Sequence, residues 1–137
     1  MSNEKDEIIL ISISGHDKLG VTSALTGILG KFGSTILDIG QSDIHHRLSL
    51  GILFKTTSNL SGEIMKELFF KATEMGVSIN YTPIAIDDYQ EWVGLQGKNR
   101  YIITILGREI TAEQISAISG IVAQQGLNID DIKRLTG

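Results

Sequence analysis

One segment of this sequence occurs twice. Ala24-Leu25-Thr26-Gly27-Ile28-Leu29, followed by Gly33, Ile36, Asp38 and Ile39, returns as Ala117-Ile118-Ser119-Gly120-Ile121-Val122, followed by Gly126, Ile129, Asp131 and Ile132. Seven of the ten compared positions are identical in the two copies. An internal repeat defines the structural unit, so the chain is expected to contain two related units. Because Gly137 follows the second copy so closely, the second unit is expected to be partial.

The residues before and within the first copy predict a strand followed by a helix. Ile9, Ile11 and Ile13 recur with a period of two, which is typical of a strand with one face on a core. The helix that follows carries a single apolar stripe from Val21 to Phe32. Gly33 stands where a helix ends in a left-handed residue, so we expect the helix to stop there.

Four further elements complete the first unit. Residues 36–44 and 48–54 are expected to form two strands of a hairpin around His45-His46-Arg47. Ser61 is expected to cap a second helix that Gly76 ends, and a fourth strand begins at Val77. The element order βαββαβ predicts an α+β, ferredoxin-like domain with four antiparallel strands and two helices on one face, spanning residues 1–86.

The rest of the chain is interpreted as a linker and half a unit. Residues 87–99 are polar and contain glycine, so they are expected to form a linker. Residues 100–137 are predicted to form a partial βαβ unit, with strands over 101–106 and 127–135 and a helix that begins at the capping box of Thr111 and Gln114 and ends at Gly126. Half a unit leaves strand edges unpaired, which favours a homodimer, a higher oligomer or strand exchange.

Composition excludes several functional classes. The net charge of −4 and the pI near 5.3 provide no basic surface for nucleic acid or an anionic membrane. The sequence has no cysteine, which rules out disulfides and thiolate catalysis. The apolar run over residues 8–13 is too short for a signal-peptide core or a membrane span. We therefore expect a cytoplasmic protein that binds a small molecule.

The loop from Gly15 to Thr22 is the strongest candidate for a binding site. It resembles the phosphate-binding pattern Gly-x4-Gly-Lys-Thr, but Val21 replaces the lysine that would reach the outer phosphates. A helix N-terminus with free N–H groups suits a carboxylate, and Asp17 could pair with an ammonium group. Two simpler interpretations stay open: Gly20 serves only a tight turn, and Asp17 only caps the helix.

No catalytic or metal site is predicted within this chain. His45 and His46 are adjacent, so their side chains point apart, and no third ligand follows at a suitable spacing. His16-Asp17 occurs without the further histidines that a metal phosphohydrolase uses. The sequence contains no serine-histidine-aspartate grouping and no cluster of metal ligands.

The repeated pattern resembles the ACT domain, a small-molecule sensor attached to enzymes of amino-acid metabolism. The resemblance rests on Asp17-Lys18-Leu19-Gly20-Val21 and on Gly33-Ser34-Thr35-Ile36-Leu37-Asp38-Ile39. The usual family loop is Asp-Arg-Pro-Gly, so Lys18 and Leu19 depart from it. The narrower resemblance is to the tandem ACT region of bacterial phosphoserine phosphatases. It extends over nearly the whole chain and includes residues 106–114 and 126–135.

The resemblance implies a ligand, a site and a parent enzyme. In the family, amino acids such as L-serine bind where the loop after the first strand of one unit meets a strand of another unit. The implied site residues are Asp17, Lys18, Leu19, Gly20, Val21 and Thr22 on the loop, with Thr35 or Asn128 on the strand. Catalysis would belong to a following domain of the haloacid-dehalogenase type, which uses magnesium and an Asp-x-Asp-x-Thr motif. That motif does not occur here, so no cofactor is expected in this chain.

The leading hypothesis is therefore a non-catalytic, amino-acid-sensing region of a phosphoserine phosphatase in serine biosynthesis. A second hypothesis is a structural dimerisation module that binds no ligand. A third hypothesis, a small enzyme of the acylphosphatase type, requires an arginine in the first loop that is absent between Gly15 and Gly20.

Overall fold

The computed structural model describes residues 5–16, 18–96 and 101–134, and it divides the chain into two units, Met1–Lys98 and Asn99–Gly137. The first unit contains, in chain order, β1 (Asp6–His16), α1 (Val21–Lys31), β2 (Thr35–Ile44), β3 (Arg47–Thr57), α2 (Ser58–Met75), β4 (Ser78–Ile84) and α3 (Ile86–Gln96). The described part of the second unit contains α4 (Ala112–Gln124).

The four strands form one antiparallel sheet in the order β2-β3-β1-β4. β1 is central and pairs with β3 along its whole length, from Asp6 opposite Thr57 to His16 opposite Arg47. β4 pairs with the other side of β1, and β2 pairs only with β3. The predicted ferredoxin-like α+β arrangement is confirmed, and both edges of the sheet belong to strands with a single neighbour.

The core lies between one face of the sheet and helices α1 and α2. Alternate residues of β1 and β3 face these helices because successive side chains of a strand point to opposite faces. The apolar side chains that fill the core are buried: Ile9, Ile11 and Ile13 of β1, Leu48, Leu50, Ile52 and Phe54 of β3, Val21, Leu25 and Leu29 of α1, and Ile64, Leu68 and Ala72 of α2. Each fully buried aliphatic side chain contributes about 1.5–3 kcal/mol to folding.

Three helices end in the same way, at a glycine with positive φ. Gly33, Gly76 and Gly126 have φ values of 69°, 73° and 72°. After α1, the N–H of Gly33 donates to the carbonyl of Gly30, and the N–H of the next residue reaches Leu29. The same pair of bonds follows α2 and α4, which is the Schellman pattern. The predicted helix ends are confirmed, and the two copies of the repeat share this local structure.

The start of α2 differs from the prediction. Ser61 does not cap the helix; its hydroxyl lies 3.3 Å from the carbonyl oxygen of Ser58, inside the first turn. The N-cap is Thr57, because β3 continues to that residue in register with β1. The backbone N–H of Ser58 then donates to the carbonyl of Lys5 at 2.8 Å. Strand pairing therefore places the helix start four residues earlier than the capping rule alone predicts.

Most of the predicted linker, residues 87–99, is helical rather than irregular. Helix α3 covers Ile86–Gln96 and carries Asp87 and Asp88 in its first turn, where acidic side chains interact favourably with the helix dipole. It follows β4 after one residue, and it contacts β1. The stretch is polar because most of the helix surface is exposed to solvent. The domain limits 1–86, 87–99 and 100–137 themselves stay a prediction.

The two strands predicted for the second unit, over 101–106 and 127–135, do not form in its described residues, 101–134. The first unit provides the physical reason. There, β1 bonds to β3 and β4, and β2 bonds only to β3. The second unit has counterparts of β1 and β2 in its sequence but no counterpart of β3 or β4 within this chain. Within the described residues of the second unit, both predicted strands therefore lack the neighbours to which β1 and β2 bond in the first unit.

The helices of the described residues do not resemble membrane spans. Neither α2, with 18 residues, nor any other helix in the described ranges combines the length and apolar character needed to cross a membrane.

Candidate functional site

The N-terminus of α1 has no side-chain cap from its N-cap residue. Gly20 occupies that position in the left-handed region, with φ 87° and ψ 4°. An added Cβ there would meet no atom within 4 Å, so the conformation rather than space favours glycine. Ala24 makes the first intrahelical bond, to the carbonyl of Gly20 at 2.9 Å. The N–H groups of the first turn therefore have no intrahelical acceptor and point toward the β1–α1 loop.

Thr22 is the predicted site residue with a specific side-chain partner. Its hydroxyl donates to Oε1 of Gln41 in β2 at 2.6 Å, and its carbonyl accepts from the hydroxyl of Thr26 at 2.8 Å. Gln41 is paired with the buried Leu50, so its side chain lies on the helix-bearing face of the sheet. The sequence analysis did not identify Gln41. The sequence marks it only as a polar residue two positions after Ile39 in the predicted strand, and its contact with Thr22 becomes visible only in the fold.

Val21 contributes only its backbone to the loop. Its side chain is 2% exposed and belongs to the core beneath α1. Burial of this side chain anchors the first turn of the helix over the sheet. Whatever lies at the loop can therefore reach the Val21 N–H but not its side chain.

Lys18 and Leu19 have different surroundings. The ammonium nitrogen of Lys18 lies 3.2 Å from the position that a Cβ at Gly76 would take, so it lies at the C-terminal end of α2. A cation there interacts favourably with the helix dipole. Leu19 is fully exposed. Asp17 lies outside the described residues, and its role as ammonium partner stays a prediction.

Thr35 is not close to the loop within the first unit. It begins β2 opposite Lys55, which in turn lies opposite Ile8. The loop follows His16, eight residues further along β1, or roughly 26 Å at 3.3 Å per residue. Asn128 belongs to the second unit, where its Oδ1 accepts from the N–H of Ile129 at 3.2 Å. The role of either residue on the strand side of the site stays a prediction.

The N-terminus of α4 differs chemically from that of α1. The Oγ1 atom of Thr111 accepts from the Gln114 N–H at 3.2 Å, and the Gln114 side chain accepts from the Thr111 N–H at 3.1 Å. This capping box confirms the prediction. Because it satisfies donors through side chains, the start of α4 offers fewer free N–H groups than a helix start whose N-cap is glycine.

The histidine pair forms a tight turn. His45 and His46 connect β2 and β3 with φ values of 50° and 62°, which is unusual for residues other than glycine. A two-residue hairpin with positive φ at both positions matches the right-handed twist of the strands. Among residues 5–16, 18–96 and 101–134, no three histidine, aspartate or glutamate side chains come together to hold a metal ion.

Comparison with known proteins identifies the fold and its relatives. The ACT domain family model matches residues 7–82, and a second ACT domain model matches residues 100–137. An ACT domain protein from Streptococcus pneumoniae has a similar structure, with a TM-score of 0.51, 20% identity, and coverage of 60% of this chain and 94% of that chain. At 20% identity, this similarity shows a shared fold and nothing about function.

Two curated relatives match both units. "Phosphoserine phosphatase SerB2" of Mycobacterium tuberculosis is 32% identical over 128 residues, which are 93% of this chain and 31% of that protein. "Phosphoserine phosphatase" of Streptomyces coelicolor is 27% identical over 128 residues, which are 93% of this chain and 30% of that protein. The chain thus spans less than a third of the length of these relatives. Since the first family model matches more than half of its residues, the chain belongs to the ACT domain family.

Proposed function

We propose that this chain is a non-catalytic, amino-acid-sensing region of a phosphoserine phosphatase. The observation that carries the proposal is the N-terminus of α1, where the N-cap residue is Gly20, which has no side chain to cap the first N–H groups. Such a terminus binds a carboxylate through its N–H groups and its dipole. The capping box at α4 makes the second copy a poorer site. The similarity of both units to phosphoserine phosphatases supports this parent.

The ligand is a small α-amino acid such as L-serine. Its carboxylate would accept hydrogen bonds from the N–H groups of Val21 and Thr22, and its ammonium group would pair with Asp17. The strand side of the site would come from another ACT unit, through Thr35 or Asn128. This arrangement fits the position of Thr35, which lies at the opposite end of its own sheet from the loop.

Regulation would follow from a population shift. A ligand bound between two ACT units favours the packing of these units that completes its site. It can bias an attached domain only as far as its affinities for the two alternative packings differ. The protein would be a cytoplasmic homodimer or higher oligomer in serine biosynthesis. The parent would hydrolyse O-phospho-L-serine in a domain of the haloacid-dehalogenase type. Magnesium would bind in that domain, as the resemblance to phosphoserine phosphatases implies.

Amide chemical shifts test the site directly. Addition of L-serine to the isotope-labelled chain should shift the backbone N–H signals of Gly20, Val21 and Thr22 in a saturable way. Ethanolamine keeps the ammonium and hydroxyl groups but lacks the carboxylate, so it should leave these signals in place. Equal shifts with both compounds would contradict carboxylate binding at α1, and so would an unchanged spectrum with L-serine.

A structural dimerisation module without a ligand is the second candidate. It is favoured by the exposed apolar side chains of the second unit, among which Ile102 is 94% exposed and Leu106 is 89% exposed. Where exposed apolar side chains lie side by side, they generally mark an interface. The two candidates differ in the amide experiment, since a purely structural module shows no saturable response to amino acids.

A further inference from the structure

The second face of the sheet carries a cleft that the proposed amino-acid site does not use. Helix α3 lies beside this face and leaves a cavity of about 330 Å³ between itself and the strands. Leu10, Leu53 and Ile84 contribute its apolar floor. This volume falls at the lower end of the range for small-molecule sites, about 300–1,000 Å³. We call this cavity the sheet cleft.

Two aromatic side chains of α3 form the wall of the sheet cleft. Tyr89 and Trp92 both line it, and their ring centroids lie 5.9 Å apart with an interplanar angle of 33°. Tyr89 is half-buried, whereas Trp92 remains 36% exposed at the opening. Aromatic faces attract cations through the ring quadrupole, most strongly at tryptophan. The wall therefore suits a ligand that has both an apolar body and a positive charge.

Two carboxylates complete the lining. Asp38 comes from β2 and Asp88 from the first turn of α3, so they approach the cavity from different elements. Among the described residues, neither carboxylate forms an ion pair, and Asp38 accepts only from the N–H of Ile39, at 2.9 Å. Among the residues that the structure describes, no lysine, arginine or histidine lines the cavity. The negative charge of the two carboxylates is therefore not balanced by a cationic side chain in the lining. A carboxylate on the ligand would be repelled.

From this combination we infer that the sheet cleft binds a small organic monoamine, namely a primary ammonium group on an aromatic body. The ammonium group lies between Asp38 and Asp88, and the ring packs on Leu10 and Leu53 beside Trp92. The site selects against amino acids because it would place their carboxylate beside two others. It also lies on the opposite face of the sheet from α1, so it is independent of the proposed amino-acid site.

The test uses the full chain and 2-phenylethylammonium as the probe. Trp92 is the sole tryptophan of the sequence, so its emission reports the sheet cleft without competition from other sites. Titration followed by fluorescence and calorimetry should show saturable binding. L-phenylalanine and 3-phenylpropanoate, which carry a carboxylate, should bind at least about tenfold more weakly. Absence of saturation with the amine, or equal affinity for all three compounds, would overturn the inference.

Charge-neutralising variants locate the binding site. Asp38→Asn and Asp88→Asn should each weaken binding of the amine a few-fold, and the double variant by about tenfold, since screened surface ion contacts are individually weak. Asp87→Asn is the matched control, because Asp87 neighbours Asp88 in α3 but does not line the cavity. Equal effects of all three single variants would indicate a general charge effect and contradict the assignment. L-serine binding should be unchanged in the double variant, which separates failure here from failure of the proposed function.

Discussion

The hydroxyl of Thr22 donates a 2.6 Å hydrogen bond to Oε1 of Gln41 and so joins the first turn of α1 to β2. These residues are far apart in sequence, and the bond lies beside the N–H groups proposed to receive the ligand carboxylate. It fixes the direction in which the helix N-terminus points. A ligand at this terminus would therefore meet a preorganised set of donors rather than a frayed helix end.

The Thr22–Gln41 bond should contribute measurable but modest stability. Thr22→Val and Gln41→Ala should each lower the free energy of unfolding by about 0.5–1.5 kcal/mol, the usual net worth of one hydrogen bond. In a double-mutant cycle measured by urea unfolding, the two effects should couple by at least about 0.5 kcal/mol. Ser23→Ala, on the neighbouring exposed position, serves as the control. Fully additive effects would show that the bond contributes nothing to stability.

Gly15 should resist substitution for two independent reasons. Its φ is +155°, and a Cβ at this position would lie 3.2 Å from Cγ1 and 3.3 Å from Cα of Val77. Because backbone cannot move aside as easily as a flexible side chain, Gly15→Ala should destabilise the domain by about 1–3 kcal/mol. Thermal unfolding followed by circular dichroism measures the change.

Gly27→Ala provides the matched control for that substitution. Gly27 lies in α1, and a Cβ there meets no atom within 4 Å. Alanine at a helix interior is favoured over glycine by about 0.5–1 kcal/mol, so this variant should gain stability. A loss of stability at Gly27 similar to that at Gly15 would contradict the contact-based explanation.

The chain should self-associate through the second unit. Ile102, Leu106 and Ile121 of this unit are 94%, 89% and 60% exposed, and exposed apolar side chains of this size favour an interface. Light scattering at micromolar concentration should report a dimer or a larger species. The double variant Ile102→Lys with Leu106→Lys should shift the population toward monomer.

Charge alone should not cause that shift. The control introduces lysine at two exposed polar positions of α4, Ser116 and Gln124, which adds the same two positive charges and should leave the oligomer intact. A wild-type monomer across the whole concentration range would contradict the prediction. It would mean that the apolar side chains of the second unit are tolerated in water.

The chain alone should not hydrolyse O-phospho-L-serine. Its sequence lacks the Asp-x-Asp-x-Thr motif, and the described residues bring no three metal-binding side chains together. Incubation with the substrate and magnesium should release phosphate at the background rate only. Turnover that persists through repurification, and that falls on mutation of this chain, would contradict the regulatory assignment.

Local sequence rules predicted those features that depend on local physics. Gly33, Gly76 and Gly126 end their helices as predicted, because positive φ favours glycine whatever surrounds it. The capping box of Thr111 and Gln114 likewise involves only one turn of helix. The element order of the first unit followed from periodicity, since one buried face leaves a clear pattern in each strand and helix.

The features that the sequence analysis missed depend on tertiary partners. Helix α3 escaped detection because its polar composition suggested a linker, and its packing partner β1 is distant in sequence. The strands predicted over 101–106 and 127–135 have an alternating pattern, but no strand forms in the described residues 101–134, because a strand also needs a neighbour to bond. Gln41 could be recognised only when its contact with Thr22 was known. Pattern predicts which face of an element is buried, but not what lies against it.

Calorimetric titration with L-serine, on the wild-type chain and on Asp17→Ala, tests the central claim most directly. Wild type should bind saturably, and Asp17→Ala should weaken binding by about tenfold to a hundredfold, because a charge-assisted hydrogen bond is worth roughly 1.5–3 kcal/mol. His16→Ala, one residue earlier, should retain wild-type affinity. The full-length parent should behave in the same way. Absence of binding by chain and parent alike, to L-serine and to other amino acids, would contradict the sensing function and favour the structural dimerisation module.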